Sequence, residues 1–591
     1  MRTSLLFDIE TNGLLKDVTK VHCMTLIDTD TGEQWSYKHE DIEKGLDDLY
    51  QADTIIGHNI LAFDLPALWK TYRWAPRPGT RRLDTLVTAR LLHPNVKEED
   101  FRRVDFPKKL IGSHSLKAWG LRLGEPKDEY EGGWEEWSQE MHDYMEQDGR
   151  TTFRLLTFLK PWEYPQLPLD LEHRVAHICG LMEYHGWTFN AVSARGLYVT
   201  LAKRRDEIER DLVEEFGSWQ EVAKVYVAKK DNSKRGIKKG DTVTNYKTVT
   251  FNPGSRRHIE KKLRELGWKP KEFTESGQAK LDEEVLLKID LPEAQQIVEY
   301  LLIQKRLGQL ADGDNGWLRL VDGSGLMHGY INSCGTVTGR ATHSYPNVSQ
   351  VPSVRAPYGK ECRSLFTVPP GWKLVGADMS GLELRTFAHY LSFYDGGDYG
   401  NVVVTGDIHT HNQQAAGLPT RDHAKTFIYA LLYGAGDHKI GTIVGGSQKH
   451  GKSLKEKFFK GLPAYKKLKT AVDSGSQKGW LKGLDGRYLH VRSSHAALNT
   501  LLQGAGAILC KEWLADFYDL MEAGGLVFGY DGDYVIVGFI HDEIQVACKA
   551  ELAEDVGRQL VNCARAAGNP FNFRIPLDSS YKIGDTWADT H

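Results

Sequence analysis

Arg421-Asp422-His423-Ala424-Lys425-Thr426-Phe427-Ile428-Tyr429-Ala430-Leu431-Leu432-Tyr433-Gly434 places a cation or a phenol at every fourth position: Arg421, Lys425, Tyr429 and Tyr433. On a 3.6-residue helix each step of four drifts by only ~40°, so these side chains form one continuous stripe. Two cations a turn apart suit a triphosphate, and a phenolic ring farther along suits a base or a sugar. The ordinary alternative is an amphipathic helix with exposed cations and half-buried tyrosines. A core-facing stripe avoids mixing charge and aromatic rings in this way.

Two acid-bearing segments lie on either side of this helix in the chain. Leu374-Val375-Gly376-Ala377-Asp378-Met379-Ser380-Gly381-Leu382-Glu383-Leu384-Arg385 is an apolar run that ends in an acid and passes into a turn. In Ile540-His541-Asp542-Glu543-Ile544, two acids interrupt another apolar run, Val535–Ile540. Trp372–Ala377 and Tyr534–Ile540 read as strands. Asp378 and Asp542 are 164 positions apart, so only folding can unite them.

Near the N-terminus, Leu5-Leu6-Phe7-Asp8-Ile9-Glu10 reads as a buried strand interrupted by two acids. Residues i and i+2 of a strand share a face, which sets Asp8 and Glu10 about 6–7 Å apart. Adjacent carboxylates repel unless a cation lies between them, so a metal is the natural resolution. Asn59-Ile60-Leu61-Ala62-Phe63-Asp64 supplies another acid after the apolar strand Thr54–Gly57. Tyr144-Met145-Glu146-Gln147-Asp148 places a phenol and a carboxylate one helical turn apart.

Apolar residues at 41% and charged residues at 26% describe an ordinary globular enzyme. The length of 591 residues allows roughly three to five domains. A net charge of −4 excludes a uniformly basic coat but not a local basic groove. Lys224–Glu272 holds 15 Lys/Arg against 5 Asp/Glu, and Lys449–Lys482 holds 10 Lys against 2 acids. Two basic stretches in an otherwise acidic chain fit arms around a polyanion. Within the first, Lys229–Gly236 reads as a mobile loop. The seven scattered cysteines include no CxxC pair, which argues against a disulfide framework and a structural zinc site. The start, MRTSLLFDIE, lacks a signal peptide's apolar core, and no apolar run approaches the ~20 residues of a membrane span. A soluble cytosolic protein is expected. Pro161–Pro168 reads as a linker closing an N-terminal unit, and the stretches around 171–215 and 255–310 read as helices.

The ordered set DIE, NxxxFD and YxxxD resembles the three exonuclease motifs of the DEDD proofreading nucleases, in their tyrosine-bearing branch. That resemblance implies an RNase H-like fold in which Asp8, Glu10, Asp64 and Asp148 hold two divalent metals and Tyr144 helps position the attacking water. In the C-terminal half, DxSxxELR, RxxxKxxxYxxxYG and HDE resemble the motifs of family A DNA polymerases, the bacterial DNA polymerase I type. Thr338-Gly339-Arg340, followed by Asn347 and Gln350, looks like the segment that tracks the primer–template minor groove. Asn499-Thr500-Leu501-Leu502-Gln503 looks like the family's late template-contacting helix. The likeness runs from residue 5 to the C-terminus with the motifs in family order. Gly406–Thr410, Phe251–Ser255 and His495–Asn499 look like the replicative polymerases of short-tailed bacteriophages. As in those proteins the exonuclease motif begins almost at residue 1, and no separate 5′-nuclease domain is expected.

The resemblance implies an α/β and α+β multidomain protein with an RNase H-like exonuclease domain and a right-hand polymerase domain. The exonuclease would span 1–165 and the thumb 166–320, with a short basic insertion near 219–250. The palm would span 321–400 and 485–591, around fingers at 401–484. The implied activity is DNA-dependent DNA synthesis by two-metal-ion nucleotidyl transfer, with 3′→5′ proofreading. Asp378 and Asp542, with the Met379 carbonyl and beside Glu543, would bind two Mg²⁺, for which Mn²⁺ could substitute; the exonuclease carboxylates would bind another pair. His409, Arg421 and Lys425 would grip the triphosphate, and Lys425 would protonate pyrophosphate. Glu383 would floor the sugar pocket, with Tyr429 and Tyr433 beside it. In this family a Tyr at the position of Tyr429, rather than Phe, goes with acceptance of dideoxynucleotides. Arg340, Asn347, Gln350, Asn499, Gln503 and His541 would contact DNA.

The implied partners are primer–template DNA and dNTPs, with a phage helicase–primase and a single-strand binding protein as candidates. A monomer working in the cytoplasm of an infected bacterial host is expected. The best-studied phage relatives carry a long thumb insertion that captures host thioredoxin. Here the interval from about Trp219 to Val249 is short though basic, so a direct electrostatic grip is expected instead. One competing reading is a nuclease whose polymerase-like half only binds nucleic acid; intact Asp378, Asp542, Arg421 and Lys425 argue against it. Another is a single-subunit RNA polymerase, against which Glu383 and the exonuclease motifs stand.

Overall fold

The computed structural model describes residues 3–126, 130–274 and 276–591. The chain forms two compact units, one of Met1–Thr188 with His328–His591 and one of Phe189–Met327.

The first unit opens with β1 (Ser4–Thr11), central in a five-stranded sheet of order β3-β2-β1-β4-β5. β2 (Val21–Asp28) and β3 (Gln34–Lys38) run antiparallel in series, while β4 (Thr54–Gly57) and β5 (Arg81–Asp84) lie parallel to β1. A strand with neighbours on both sides and both faces covered must be nearly all apolar, as Leu5, Leu6, Phe7 and Ile9 are. The two acids of β1 are therefore exceptions that need a local reason.

The helices packed on this sheet include α1 (Asp64–Tyr72), α2 (Gln139–Leu159) and α3 (Gln166–His185). Ser138 starts α2 by accepting a hydrogen bond from the Met141 N–H at 3.0 Å. The proline-rich passage is shorter as a linker than its composition suggests. It forms one 3₁₀ turn, Pro161–Glu163, before α3 begins, and Pro168 sits in the first turn of α3. A residue there needs no N–H, because first-turn amides have no intrahelical acceptor.

The second unit holds α4 (Ala191–Phe216), an antiparallel ribbon of β6 (Ser218–Val227) and β7 (Thr242–Thr250), and α5 (Pro292–Leu307). Arg204 of α4 grips Glu299 of α5 through two hydrogen bonds at 2.8 and 2.9 Å. The single helical stretch expected around 171–215 is two helices, α3 and α4. They are separated after Gly186, whose φ of 67° and ψ of −179° are open essentially to glycine alone. The ribbon's end, read from sequence as a mobile loop, carries a 3₁₀ turn at Ser233–Arg235 closed by a bridge between Asn232 and Ile237. Asp231 and Asp241 shape it by accepting the N–H groups of Lys239 and Lys238, both at 2.6 Å.

The rest of the first unit is built on an antiparallel sheet. The elements that position the site are, in chain order, β8 (Trp372–Met379), α6 (Leu382–Asp395), α7 (Ile408–Ala416) and α8 (Arg421–Leu432). After these come α9 (Ala497–Ala523), β9 (Tyr534–Ile540), β10 (Glu543–Lys549), α10 (Ala553–Ala566) and β11 (Ser579–Gly584). The strand order is β9-β10-β8-β11. Trp513, Leu514 and Phe517 of α9 join Val556 and Leu560 of α10 in a core with Val375, Ile536 and Val546 of the sheet; Val175 and Ile178 of α3 enter the same core. A separate core around Phe387, Phe427 and Phe458 holds α6 to α8. Among the described residues no helix is long and apolar enough to cross a membrane. All seven cysteines are free and buried.

Two candidate active sites

In the antiparallel sheet, Asp378 lies in register with Glu543 of β10 and Ser580 of β11. β9 and β10 are joined by the two-residue turn His541-Asp542, closed by the pair Ile540 and Glu543. His541 has φ 61°, a left-handed conformation that costs a non-glycine residue about 1–2 kcal/mol. The turn brings the Asp542 carbonyl against β8, where it accepts a hydrogen bond from the Met379 N–H at 2.9 Å. This contact extends the β8–β10 ladder and sets Asp542 beside Asp378.

The carboxylates crowd one another. Burial, then Glu383 and Asp378, push the Asp542 carboxyl up to about 6. Asp378 reaches solvent but stands in a recess, and desolvation followed by Glu543 raises its carboxyl above the ordinary range. Such a set of hard oxygen donors, each disfavouring the other's charge, fits a divalent cation. Glu543 stands differently. It is buried, and its carboxylate accepts from Trp587 Nε1 and from Gln545 Nε2 at 2.7 Å, with His591 Nδ1 at 3.2 Å. Burial opposes its ionisation, but the hydrogen bond and charge of His591, with the Arg363 guanidinium, hold it below its usual range. Ligand atoms of Asp378, Glu543 and His591 lie within 4.8 Å of one another. His591, Trp587 and Arg363 carried no local signal in the sequence.

α8 presents the tyrosine end of its stripe to this cluster. Thr420 caps the helix by accepting from the His423 N–H at 3.2 Å, and Ala424, Phe427, Ile428 and Leu431 form the buried face. Arg421 and Lys425 are exposed, and the Tyr433 hydroxyl donates to Glu383 Oε1 at 3.3 Å. Burial, then Glu383 and Tyr433, push the Tyr429 phenol up to about 12. Asp407 caps α7 through the N–H groups of His409 and Thr410, at 3.1 and 3.3 Å, and accepts from Arg421 Nε at 2.8 Å. His409 is lowered by burial and then by Arg421 and Lys425, which places its ring beside both cations.

Arg340 lies near enough to Asp542, Tyr433 and His541 to perturb all three. Its loop bends at Gly339, φ 75°, where a Cβ would stand 2.7 Å from Arg487 Nη1. Arg487 belongs to a buried network that sequence reading missed: it pairs with Asp485 and, at 2.6 Å, with Glu172 of α3, which also accepts from Lys511. Asn347 occupies the N-cap position of the 3₁₀ turn Val348–Gln350, which Gln350 ends, and Asn499 and Gln503 stand one turn apart on α9.

At the other sheet, ligand atoms of Asp8, Glu10 and Asp148 lie within 4.8 Å of one another. Asp64, at the start of α1, accepts from the Ile9 N–H, between the two acids of β1; burial and then Asp84 push its carboxyl up to about 8. Three of the four expected carboxylates, Asp8, Glu10 and Asp148, thus cluster, and Asp64 joins them through the β1 backbone at Ile9; such close oxygen donors suit divalent cations. Tyr144 packs against Tyr130 and Trp134, ring centroids 5.7 and 6.4 Å away. Asp84 was not anticipated. Wholly buried, it accepts from the N–H groups of Asn59 at 2.8 Å and Leu61 at 3.1 Å, and so holds the turn that delivers Asp64.

Residues 226–589 match the family model described as DNA polymerase family A. The chain therefore belongs to DNA polymerase family A. Its curated relatives include the DNA-directed DNA polymerases of Enterobacteria phage T3 and Escherichia phage T7. Each is 39% identical, over 99% of this chain and 100% and 99% of theirs. The thermostable DNA polymerase I of Thermus aquaticus is 27% identical over 57% of this chain and 42% of its own. Among solved structures, the POL domain of Pol1 from M. smegmatis, in complex with DNA primer-template and dNTP, superposes with a TM-score of 0.73. It covers 100% of this chain and 96% of that one at 17% identity.

Proposed function

We propose that this chain copies phage DNA from a primer–template with dNTPs and removes misincorporated 3′-terminal nucleotides at a second site. It is a DNA-directed DNA polymerase, by family membership and by full-length identity to the T3 and T7 enzymes. The observation that supports the assignment of residues is the convergence of Asp378, Asp542 and Glu383 with Tyr429 and Tyr433 of α8. Family A chemistry uses divalent metal ions. Asp378, Asp542 and the Met379 carbonyl would hold two Mg²⁺ at the synthesis site; Asp8, Glu10, Asp64 and Asp148 would hold two at the excision site, with Mn²⁺ able to substitute. When bound, such ions stabilise charge on the attacking and leaving oxygens of an in-line phosphoryl transfer.

The chain's own groups do the positioning. Arg421 exchanges Asp407 for phosphate oxygens, and His409 and Lys425 flank the same anion. Lys425 is placed to hand a proton to departing pyrophosphate. Glu383, fixed by Tyr433, floors the sugar and disfavours a 2′-hydroxyl, which favours dNTPs over rNTPs. Arg340, Asn347, Gln350, Asn499, Gln503 and His541 contact the primer–template duplex. Tyr144 orients water at the excision site. The ribbon of β6 and β7 grips duplex DNA directly, in place of thioredoxin, and the monomer works in the cytoplasm of the infected cell with the phage helicase–primase and single-strand binding protein.

Primer extension on a recessed duplex with Mg²⁺ and dNTPs tests this. Asp378→Ala should abolish extension and keep 3′→5′ degradation, and Asp8→Ala should do the reverse. Loss of both activities in either variant would show that the two carboxylate clusters do not serve separate reactions.

A further inference from the structure

Three successive residues of α3 reach into different parts of the first unit. Glu172, fully buried, accepts from Lys511 and from Arg487 Nη1. Arg174 pairs with Glu512, Asp516 and Asp519 of α9 at 3.2, 3.1 and 2.6 Å. Between them, His173 turns the other way, toward the five-stranded sheet. Its Nδ1 is 2.7 Å from the Leu169 carbonyl of its own helix, and its Nε2 is 2.8 Å from the Asp84 backbone N. A carbonyl can only accept and a backbone N–H can only donate. The imidazole is therefore the neutral tautomer with its proton on Nδ1 and its lone pair on Nε2 aimed at the Asp84 N–H.

Asp84 has no freedom left once that bond forms. Its Oδ1 accepts from Asn59 N–H at 2.8 Å and Leu86 N–H at 2.9 Å, and its Oδ2 accepts from Leu61 N–H at 3.1 Å. Asn59 is in the left-handed region, φ 68°, so the turn that opens the segment leading to Asp64 rests on these acceptors. Leu65, next in the chain, is tied back by its N–H to the Ile60 carbonyl at 3.0 Å. The path from His173 to Asp64 runs through the hydrogen bonds at Asp84 and then along the short backbone segment Asn59–Asp64 that they hold. Ala176, one turn further along α3, packs on the core of the same sheet.

We infer that His173, acting through Asp84, is a positioning residue for the 3′→5′ excision site, held in place by the ion pairs that fasten α3 to α9. The inference rests on the reading of Asp8, Glu10, Asp64 and Asp148 as that site. His173 touches neither substrate nor reacting atoms; it fixes where Asp64 stands. The same helix serves as a rigid member between the two carboxylate clusters.

The test uses the full chain with His173→Leu, which keeps volume but removes the acceptor, and His173→Gln, whose Oε1 can take the place of Nε2. His173→Leu should lower kcat for excision of a single-stranded primer by about 10–100-fold, with KM for DNA changing by less than about threefold. Mn²⁺ binding, followed by electron paramagnetic resonance, should weaken at one set of sites. Amide exchange at Asn59 and Leu61 should accelerate, and His173→Gln should restore most of each property. Primer extension by the same preparations reports that the fold is intact. Unchanged excision and unchanged exchange in His173→Leu would overturn the inference, as would a glutamine variant as impaired as the leucine one. If the wild-type chain does not excise at all, the reading of the site falls, while exchange at Asn59 and Leu61 still decides whether His173 holds the turn.

Discussion

Under the proposed reading, Tyr429 sits where a single hydroxyl decides which nucleotides are accepted. Its ring is half-buried beside Glu383 and Tyr433, and the resemblance places it near the ribose 3′ position. A hydroxyl there can stand in for the polar group that a dideoxynucleotide lacks. Tyr429→Phe should therefore raise discrimination against ddNTPs by at least about tenfold, the scale of one hydrogen bond, with dNTP incorporation little changed. Competition between ddNTP and dNTP in primer extension measures this, and an unchanged ratio would remove Tyr429 from the role. Asp407 offers a second residue-scale test. It pairs with Arg421 while also capping α7. Asparagine caps as well as aspartate but carries no charge. Asp407→Asn should release Arg421 and lower KM for dNTP several-fold at low salt, an effect that fades as salt screens the pair.

At the scale of the element, the ribbon of β6 and β7 is defined by the cations at its end. Lys229, Lys230, Lys234, Arg235, Lys238 and Lys239 crowd there. The nearby acids Asp231 and Asp241 are engaged by backbone N–H groups. A set of cations spaced along a two-stranded arm suits the phosphates of a duplex, and each phosphate contact adds about −0.9 to the slope of log K against log salt. Replacing Lys234, Arg235, Lys238 and Lys239 by serine should flatten that slope by up to about 3–4 and shorten products at moderate salt. Filter binding over a salt series, and product lengths under single-hit conditions, check it. Stimulation of the wild-type chain by added thioredoxin would contradict the direct grip.

At the scale of the whole molecule, stability should depend on keeping several histidines neutral. Burial, then Arg82, lowers His177 to about 4, while its ring stacks edge-on to Tyr518 at 6.0 Å. His343 and His389 are lowered to about 4 and His114 to about 3, chiefly by burial. Unfolded histidines take a proton near 6.5, so between about 6.5 and 4 the unfolded chain binds more protons than the folded one. Their contribution is complete above pH 6.5 and is lost as pH falls toward 4. His177 alone accounts for up to about 3 kcal/mol of that loss. His177→Phe keeps the edge-on ring contact and should flatten the decline in unfolding free energy between pH 7 and 4.5. Urea denaturation at both pH values measures the difference, and an equal slope in both proteins would rule His177 out.

The sequence by itself determined everything that rests on short-range periodicity. The four-residue spacing of Arg421, Lys425, Tyr429 and Tyr433 needs only helix geometry, and the i, i+2 spacing of Asp8 and Glu10 needs only a strand. The apolar runs Trp372–Ala377 and Tyr534–Ile540 read as strands from their shortness and their bounding turn residues. Tertiary structure alone decided which distant groups meet. The hydrogen bond from Met379 to Asp542, the clamp of Trp587, Gln545 and His591 on Glu543, and the reach of Asp84 to Asn59 are of this kind. A lone Asp or His is chemically silent in a sequence, since its meaning lies in the donor or acceptor opposite it. The early start of α3 was hidden for the same reason: it depends on what the backbone packs against, which no local pattern records.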